Sequence, residues 1–213
     1  VKKNILFKEF PDNSKKETKL TSTTNILSEL DDFMRTFEID DNSVESKKYI
    51  SKGLFGYMSY DSIKFFENIE VENDSYGDEI PEIFYSFYRE IIVINTFNNE
   101  ATLISHSGDI EKINTLEKLI KTKKTNEFSF KIEDEIKSNL KDNEYLEMVK
   151  KGIKHCFRGD VFQIVLSRKF SQKFSGDEFC VYRQLRSINP SPYLFYFDYG
   201  NFKIFGSSPD AQL

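Results

Sequence analysis

The sequence predicts an α+β fold, in which aromatic and β-branched segments form sheets and amphipathic helices lie between them. Its 213 residues include 21 Phe and 11 Tyr but no Trp, and both residue types favour pleated, half-buried surfaces. The segment Ile83–Phe97 is especially dense in such residues, whereas other segments repeat apolar residues at helical spacing. With 38% hydrophobic residues, the chain has enough apolar surface for a folded core.

The N-terminal half predicts strands and helices in turn. Residues 4–10 alternate weakly and predict a strand whose partner lies upstream of Val1. A helix follows, with Thr24 or Asn25 as its N-cap. Its apolar residues at helical spacing are Ile26, Leu27, Leu30, Phe33, Met34 and Phe37. The glycine-spaced segment 53–60 predicts a strand that another backbone approaches closely.

A long β-hairpin is predicted next, with residues 83–97 and 101–107 as its strands and Asn98-Asn99 between them. Residues 110–120 have the apolar spacing of a second helix. The polar stretch from Lys121 to Lys141 contains only a short strand-like patch at 128–132. We therefore interpret it as the best linker candidate.

The last third predicts helix, strand, helix and hairpin. Asp142 or Asn143 is expected to cap a helix that ends near Gly159. Residues 161–170 predict a strand, and the S-x-x-E spacing of residues 175–178 predicts a capping box before a helix that ends at 189-190. Two strands, 193–198 and 202–205, then flank a turn at 199–201.

Composition excludes several functional classes. The formal net charge of −5 offers no surface for a polyanion, so nucleic acid is not an expected partner. No stretch approaches the roughly 18 apolar residues of a membrane span, and the start has no signal-peptide pattern. The two cysteines, Cys156 and Cys180, are expected as buried thiols in a reducing compartment, which makes the cytoplasm the expected location.

Few residues could carry chemistry. No cysteine and histidine spacing resembles a zinc site, and the helical neighbours His155 and Cys156 point in different directions. Strand alternation places Gln163 between Val161 and Val165 on a side expected to be buried. Its amide must then find a partner, which leaves structural hydrogen bonding and ligand contact as alternatives. The Asn189–Pro192 run is either a rigid turn or a support for an aromatic zwitterionic ligand.

Three segments occur together in a specific order. They are GDVFQIVLSRKF (159–170), INPSPYLFYFDYG (188–200) and FGSSPD (205–210), and GLFGYMSYD (53–61) lies upstream. Together they resemble the anthranilate synthase component I family of chorismate-utilising enzymes. The match is specific from Glu144 to Leu213 and looser from Val1 to Lys141. The chain is expected to be truncated at both ends relative to this family.

The resemblance implies an α+β fold with two large antiparallel sheets packed face to face and helices outside, of which this chain holds part. Residues 1–141 would be the N-terminal portion, with sheet and regulatory region, and 142–213 the start of the chorismate-binding portion. The implied reaction converts chorismate and ammonia to anthranilate and pyruvate with Mg²⁺. A glutamine amidotransferase subunit (component II) supplies the ammonia, and tryptophan inhibits.

The resemblance also implies roles for a few residues. Gln163 would line the chorismate site, where isochorismate- and salicylate-forming relatives carry a water-activating lysine. A neutral amide cannot deprotonate water, so an ammonia-using enzyme is implied. Pro192, Tyr193 and Leu194 would bind the effector tryptophan. Asp210 replaces the family's usual glutamate. The metal-binding glutamates are expected beyond Leu213, so no metal ligand is predicted in this chain.

Two alternatives stay open. Aminodeoxychorismate synthase component I shares the fold and makes the 4-amino isomer, and the segment that separates the two enzymes is expected just past the end of this chain. The other alternative is a non-catalytic fragment that retains part of a tryptophan-binding regulatory site. We expect the 213-residue chain by itself to be inactive.

Overall fold

The structure is a computed structural model that describes residues 1–2, 4–21, 25–37, 53–69, 80–122 and 129–208. It divides into two compact units, residues 1–124 and 125–213. Helices and antiparallel strands alternate in both, which confirms the α+β class. Among the described residues, the strands pair as six two-stranded sheets. None of the described helices has both the length and the hydropathy needed to cross a bilayer.

The first unit begins with a hairpin, in which β1 (Ile5–Glu9) pairs with β2 (Lys15–Lys19). The turn is closed by backbone hydrogen bonds from the Phe10 amide to the Ser14 carbonyl oxygen and from the Asn13 amide to the Phe10 carbonyl oxygen. Asn13 adopts a left-handed φ of 64°. The expectation that the first strand pairs upstream of Val1 is therefore wrong. A compact turn brings the next segment of the same chain alongside instead.

Helix α1 (Ile26–Arg35) begins where the sequence predicts. The Asn25 side chain accepts hydrogen bonds from the Leu27 and Ser28 amides at 2.9 and 3.3 Å, so Asn25 is the N-cap. Ile26 is 1% exposed and lies at the centre of this unit's core. The other buried apolar members of the core are Val1, Leu6, Leu20 and Ile83.

The expected long strand of residues 83–97 is two strands with different partners. β3 (Phe55–Met58) pairs with β4 (Ile83–Ser86), whereas β5 (Glu90–Asn95) pairs with β6 (Glu100–Ser105). Because the two pairs use different neighbours, the strand breaks at residues 87–89. The close backbone approach predicted from the glycines is confirmed at Gly56, where a side chain would collide with the Phe84 carbonyl group. A 3₁₀ helix (Tyr60–Phe65) and helix α2 (Ile110–Lys121) complete the unit.

The second unit begins inside the segment that we interpreted as a linker. β7 (Phe130–Ile132) pairs with β10 (Phe174–Gly176), and β8 (Lys137–Ser138) pairs with β9 (Phe170–Ser171). Residues 130–138 are thus part of the folded unit, and the linker interpretation is wrong for them. The strand-like patch predicted at 128–132 contains β7, whereas polar composition concealed β8, whose side chains are exposed.

The helices of this unit are where the sequence predicts, but their caps differ. Helix α3 (Asp142–Arg158) is capped at Lys141, whose amide donates to the Glu144 carboxylate at 2.7 Å, and it ends at Gly159 with φ 78°. At the start of helix α4 (Phe179–Ile188), the Phe179 amide donates a hydrogen bond to Asp177 Oδ1 at 2.8 Å. The predicted box of residues 175–178 is wrong, because Ser175 belongs to β10.

The predicted strand of residues 161–170 is also wrong over most of its length. Only Phe170 and Ser171 pair with a described strand, and residues 161–169 form no ladder with any part of the chain that the structure describes. A strand requires a hydrogen-bonded neighbour as well as a suitable sequence. The expected burial of Cys156 is likewise wrong, since this thiol is exposed; neither cysteine forms a disulfide.

The predicted C-terminal hairpin is confirmed. β11 (Tyr193–Asp198) pairs with β12 (Lys203–Ser208) in a register that joins Tyr193 to Ser208 and Asp198 to Lys203. The turn between them contains Gly200 at φ 83°, a left-handed conformation that favours glycine.

Candidate functional site

The segment 161–167, which carries Gln163, lies on helix α3. The side chains of Ile164 and Leu166 come within 3.4 and 3.5 Å of the position that a Cβ atom on Gly152 would take. Gly152 is the buried residue of α3, and Tyr145 Oη approaches the Leu166 carbonyl oxygen at 3.5 Å. Ile164 and Leu166 therefore lie against the helix, and their close approach depends on the missing side chain at Gly152.

Gln163 is exposed, contrary to the burial predicted from alternation. Its neighbours Phe162 and Val165 are 101% and 83% exposed. The predicted alternation is not confirmed, because Phe162 and Ile164, expected on one face, are 101% and 44% exposed; helix α3 contacts only Ile164 and Leu166 of that face. An exposed amide has no desolvation penalty to offset, so this structure gives no structural reason for a glutamine at position 163. The alternative of ligand contact is consistent with the placement.

The turn before β11 is fixed to the end of β12 by two hydroxyl groups. Ser191 Oγ donates to the Ser208 carbonyl oxygen at 2.7 Å, and Ser207 Oγ donates to the Asn189 carbonyl oxygen at 2.6 Å. Pro190 and Pro192 restrict the φ angles of the same run. The rigid turn predicted from the sequence is therefore present.

The three predicted effector residues do not share one surface. Pro192 and Tyr193 are exposed, whereas Leu194 is half-buried. Successive residues of β11 point to opposite faces, so Tyr193 and Leu194 lie on different sides of the hairpin. A ligand that contacts both must bind at the N-terminal end of the strand, beside the turn.

The Leu194 side of the hairpin packs on helix α4. The Tyr196 ring lies 5.1 Å from Phe179, 5.2 Å from Tyr182 and 5.6 Å from Phe205 between ring centroids. These ring distances are in the range of favourable aromatic contacts. The aromatic cluster holds β11 and β12 against the helix, and so positions the turn that precedes them.

An ionic group closes the same face. Glu178 forms an ion pair with Lys203, and Tyr196 Oη donates to Glu178 Oε1 at 3.4 Å. The hydrogen bond from Lys203 lowers the pKa of Glu178. Burial, followed by the Glu178 charge, raises the pKa of Tyr196. The carboxylate is thus held ionised while the phenol stays neutral, an arrangement suited to fixing the hairpin rather than to proton transfer.

The opposite face of the hairpin presents an exposed aromatic surface. Tyr193 and Phe195 are 48% and 37% exposed. Phe195 lies over Gly206, where a Cβ atom would come within 2.7 Å of Phe195 Cζ. Phe197 continues the row at 5.9 Å from Phe195. The face can accept a planar, apolar group next to the Asn189–Pro192 turn.

A cavity of about 650 Å³ in the second unit lies apart from the predicted residues. Neither Gln163 nor residues 192–194 line it. Its polar lining comes from Gln172, Asn201 and the Glu178–Lys203 pair, and the apolar lining is largely phenylalanine. Sequence reasoning missed this group, because Glu178 was assigned to a helix cap and Lys203 to an ordinary strand position.

The described residues do not fit a magnesium site. Within them, no group of three or more His, Cys, Asp or Glu side chains is placed to hold a metal ion. Asp210, which replaces the family's usual glutamate, lies outside the described residues. Among the described residues, no hydrogen bond or ring contact joins Gln163 to Pro192, Tyr193 or Leu194. The structure therefore describes two separate candidate surfaces in this unit, one at Gln163 and one at the turn.

Comparison with known proteins identifies relatives. The chain is 32% identical over 177 residues to anthranilate synthase component 1 of Aquifex aeolicus (strain VF5), which covers 74% of this chain and 35% of that protein. It is 32% identical over 178 residues to anthranilate synthase component 1 of Acetivibrio thermocellus, and this match covers 74% of this chain and 36% of that protein. A probable anthranilate synthase component 1 of Schizosaccharomyces pombe (strain 972 / ATCC 24843) is 30% identical over 192 residues, covering 81% and 39%. The chain thus spans little more than a third of these relatives' length.

A solved structure shares the fold. The crystal structure of anthranilate synthase component I from Streptococcus pneumoniae TIGR4 superposes with a TM-score of 0.72 at 23% identity, and the match covers 99% of this chain and 49% of that one. A family model described as chorismate binding enzyme matches residues 3–213. On this match over nearly its whole length, the chain belongs to the chorismate binding enzyme family.

Proposed function

We propose that this chain is part of the large subunit of an anthranilate synthase, which converts chorismate and ammonia to anthranilate and pyruvate in tryptophan biosynthesis. Membership of the chorismate binding enzyme family supports the substrate. Two relatives named anthranilate synthase component 1 and one named probable anthranilate synthase component 1 support the reaction. Because the chain spans about a third of their length, the activity is proposed for the full-length gene product.

The observation that carries the proposal is the amide side chain of Gln163. In the family's water-using members, a lysine at the matching position removes a proton from water. A primary amide donates and accepts hydrogen bonds but does not take up a proton near neutral pH. Ammonia needs no such base, because the neutral molecule is a stronger nucleophile than water and loses a proton only after the new bond has formed. Gln163 can orient a ligand while leaving water unactivated.

The exposure of Gln163 is consistent with this role. Its side chain is exposed, so a substrate can reach it. We propose that Gln163 donates to, or accepts from, a polar group of chorismate. The rest of the chorismate site would come from parts of the full-length protein that match the remaining length of the relatives.

The proposed protein acts in the cytoplasm with Mg²⁺, and a glutamine amidotransferase subunit provides ammonia from glutamine. The ion would balance the carboxylate charge of the substrate. The described residues do not fit this ion, so its ligands are proposed to lie in the rest of the full-length protein. We also propose that the 213-residue chain has no chorismate turnover alone.

A tryptophan site is proposed at Pro192, Tyr193 and Leu194. The hydroxyl groups of Ser191 and Ser207 hold this turn rigid, which lowers the entropic cost of binding a ligand there. The Tyr193 ring is exposed for contact with an indole, and Leu194 reaches the other side of the same strand end. Inhibition would follow if tryptophan bound one conformation of the enzyme more tightly than another.

Product identity tests the proposal. The full-length gene product is incubated with chorismate, Mg²⁺ and an ammonium salt, and the products are separated by chromatography. The expected product is anthranilate, accompanied by an equal amount of pyruvate. The 213-residue chain, assayed in parallel, is expected to give neither compound. Absence of any aminated product from the full-length protein would refute the proposed function.

Aminodeoxychorismate synthase component I is the second candidate. It is consistent with the amide at position 163, since it also uses ammonia. The same chromatogram separates the two, because the second enzyme gives a 4-amino isomer that retains the enolpyruvyl group and releases no pyruvate. By resemblance to the family, the run of Pro192, Tyr193 and Leu194 favours an anthranilate synthase. The product found in the chromatogram decides between the two enzymes.

A further inference from the structure

Arg168 makes an unusually complete set of contacts for a residue beside an irregular segment. Its Nε atom donates to Ser138 Oγ at 2.8 Å, and its Nη2 atom donates to the Leu140 carbonyl oxygen at 2.9 Å and to Asp142 Oδ1 at 2.7 Å. The side chain is only 18% exposed. One guanidinium group therefore joins its own segment to β8 and to the first turn of α3.

Aromatic rings complete the surroundings of this guanidinium group. Its central carbon lies 4.7 Å from the Phe170 ring centroid and 5.9 Å from the Tyr145 ring centroid. A planar cation can stack on a ring while its edge donates several hydrogen bonds. Lysine carries the same charge but has neither the flat shape nor the fixed fork of donors. The site is therefore specific for arginine.

The position of Arg168 in the chain gives these contacts a consequence. The ladder between β8 and β9 begins at Ser138 and Phe170. Next to the ladder, the Lys169 amide donates to Asn139 Oδ1 at 2.9 Å, and the Lys169 carbonyl oxygen accepts from the Asn139 amide at 3.2 Å. On the N-terminal side of Arg168, residues 161–167 have no ladder in the described chain. Arg168 is thus the boundary between paired and unpaired backbone.

We propose that Arg168 is a positioning residue for Gln163, which rests on the proposed function of Gln163. Gln163 lies five residues before Arg168 on the unpaired segment. The segment is fixed at its middle by Ile164 and Leu166 against Gly152, and at its C-terminal end by Arg168. Loss of the guanidinium group releases that end, and the backbone that carries Gln163 is then held less firmly against α3.

Limited proteolysis of the 213-residue chain tests the anchoring. Chymotrypsin cuts after Phe162 and Leu166 report on release of the segment, and the cut after Phe97 is an internal reference. Phe97 is 98% exposed in a turn of the other unit. Arg168→Ala is expected to raise the segment cuts about tenfold or more relative to the Phe97 cut, because several hydrogen bonds to a charged group are lost.

Two further variants make the test specific to the guanidinium group. Arg168→Lys keeps the charge and is expected to give an intermediate cutting ratio. Asp142→Ala removes only one partner of Arg168, and that partner is 83% exposed. Its ratio of segment cuts to the Phe97 cut should therefore stay within about twofold of the wild-type ratio. An Arg168→Ala chain with an unchanged ratio would overturn the anchoring.

Kinetics of the full-length gene product test the positioning. Arg168→Ala is expected to lower kcat by about 10- to 100-fold per folded molecule, since small misplacements of catalytic groups have effects of this size. The KM for chorismate should change far less. A purely structural role would reduce the folded fraction, measured by circular dichroism at the assay temperature, and leave kcat per folded molecule unchanged.

The outcomes separate this inference from the proposed function. If the wild-type protein forms anthranilate and Arg168→Ala has a normal kcat, the positioning role is overturned and the proposed function is unaffected. No aminated product from the unchanged protein refutes the function, and with it the role of Gln163, whatever the proteolysis shows. The proposal is supported if Arg168→Ala both increases the cuts after Phe162 and Leu166 and lowers kcat.

Discussion

The contact between Phe195 and Gly206 gives a quantitative test of the hairpin register. The two residues are paired on β11 and β12, and a Cβ atom on Gly206 would lie 2.7 Å from Phe195 Cζ and 3.0 Å from Cε1. Carbon atoms in contact are normally about 3.5 to 4.0 Å apart. Gly206→Ala therefore forces the ring to withdraw by about 1 Å.

The expected cost follows from the surroundings of the ring. Inserting a methyl group into a fully packed site costs about 1 to 3 kcal/mol. Phe195 is 37% exposed and can move toward solvent, so the lower end of this range, about 1 kcal/mol, is expected. A loss of this size corresponds to roughly 2 to 4 °C in the thermal midpoint of a chain of this length.

A double-mutant cycle measures the contact directly. Urea unfolding is followed by circular dichroism for the unchanged chain, Gly206→Ala, Phe195→Leu and the double variant. Leucine lacks the Cζ atom, so alanine at position 206 should cost little in its presence, and the coupling free energy should be about 1 kcal/mol. Equal destabilisation by Gly206→Ala in both backgrounds would refute the placement of Phe195 over Gly206.

Three further predictions concern the pH dependence, the effector turn and the helix start. The pKa of Glu178 is lowered from its ordinary 4.5 by Lys203, so the contribution of the pair to stability is present above pH 4.5 and is lost as the pH falls through the folded-state pKa. Thermal unfolding against pH should show this acid-side loss, and Glu178→Gln should flatten it. Leu194→Asp, which places a charge in the proposed apolar site, should abolish tryptophan inhibition of the full-length protein and leave its uninhibited rate largely intact; unchanged inhibition would show that residues 192–194 are only a turn. Asn25→Ala removes the acceptor for the Leu27 and Ser28 amides and should lower the unfolding free energy by about 1 kcal/mol in urea titrations, whereas Asn25→Ser should retain most of it.

Local signals in the sequence predicted those elements whose structure is locally determined. The Asn25 cap, the Gly159 helix end and the turn at Gly200 each depend on residues within a few positions along the chain. Cap and turn chemistry acts over this range. The helix start at Phe179 was predicted for the wrong reason, because Asp177 provides the acceptor and not Ser175.

Elements that depend on distant partners were less predictable. Residues 83–97 have the composition of one strand, but β4 and β5 pair with different neighbours. Residues 161–169 have a strand-like sequence without a ladder in the described chain. Composition indicates that a segment suits a sheet; it does not specify which strand, if any, lies beside it.

The surroundings of the candidate residues could not be predicted from the sequence. Burial was predicted for Gln163, which is exposed, because nothing local indicates that α3 contacts Ile164 and Leu166 instead. The roles of Arg168 and of the Glu178–Lys203 pair depend on contacts between residues more than twenty positions apart. Such contacts require the fold.

Ammonium dependence tests the central claim most directly, namely that this chain belongs to an enzyme that aminates chorismate and leaves water unactivated. The full-length gene product is supplied with chorismate and Mg²⁺ in ammonium-free, glutamine-free buffer, and ammonium is then titrated. We predict no product at the start and anthranilate in proportion to ammonium at low concentrations. Isochorismate or salicylate formed without ammonium would contradict the account of Gln163.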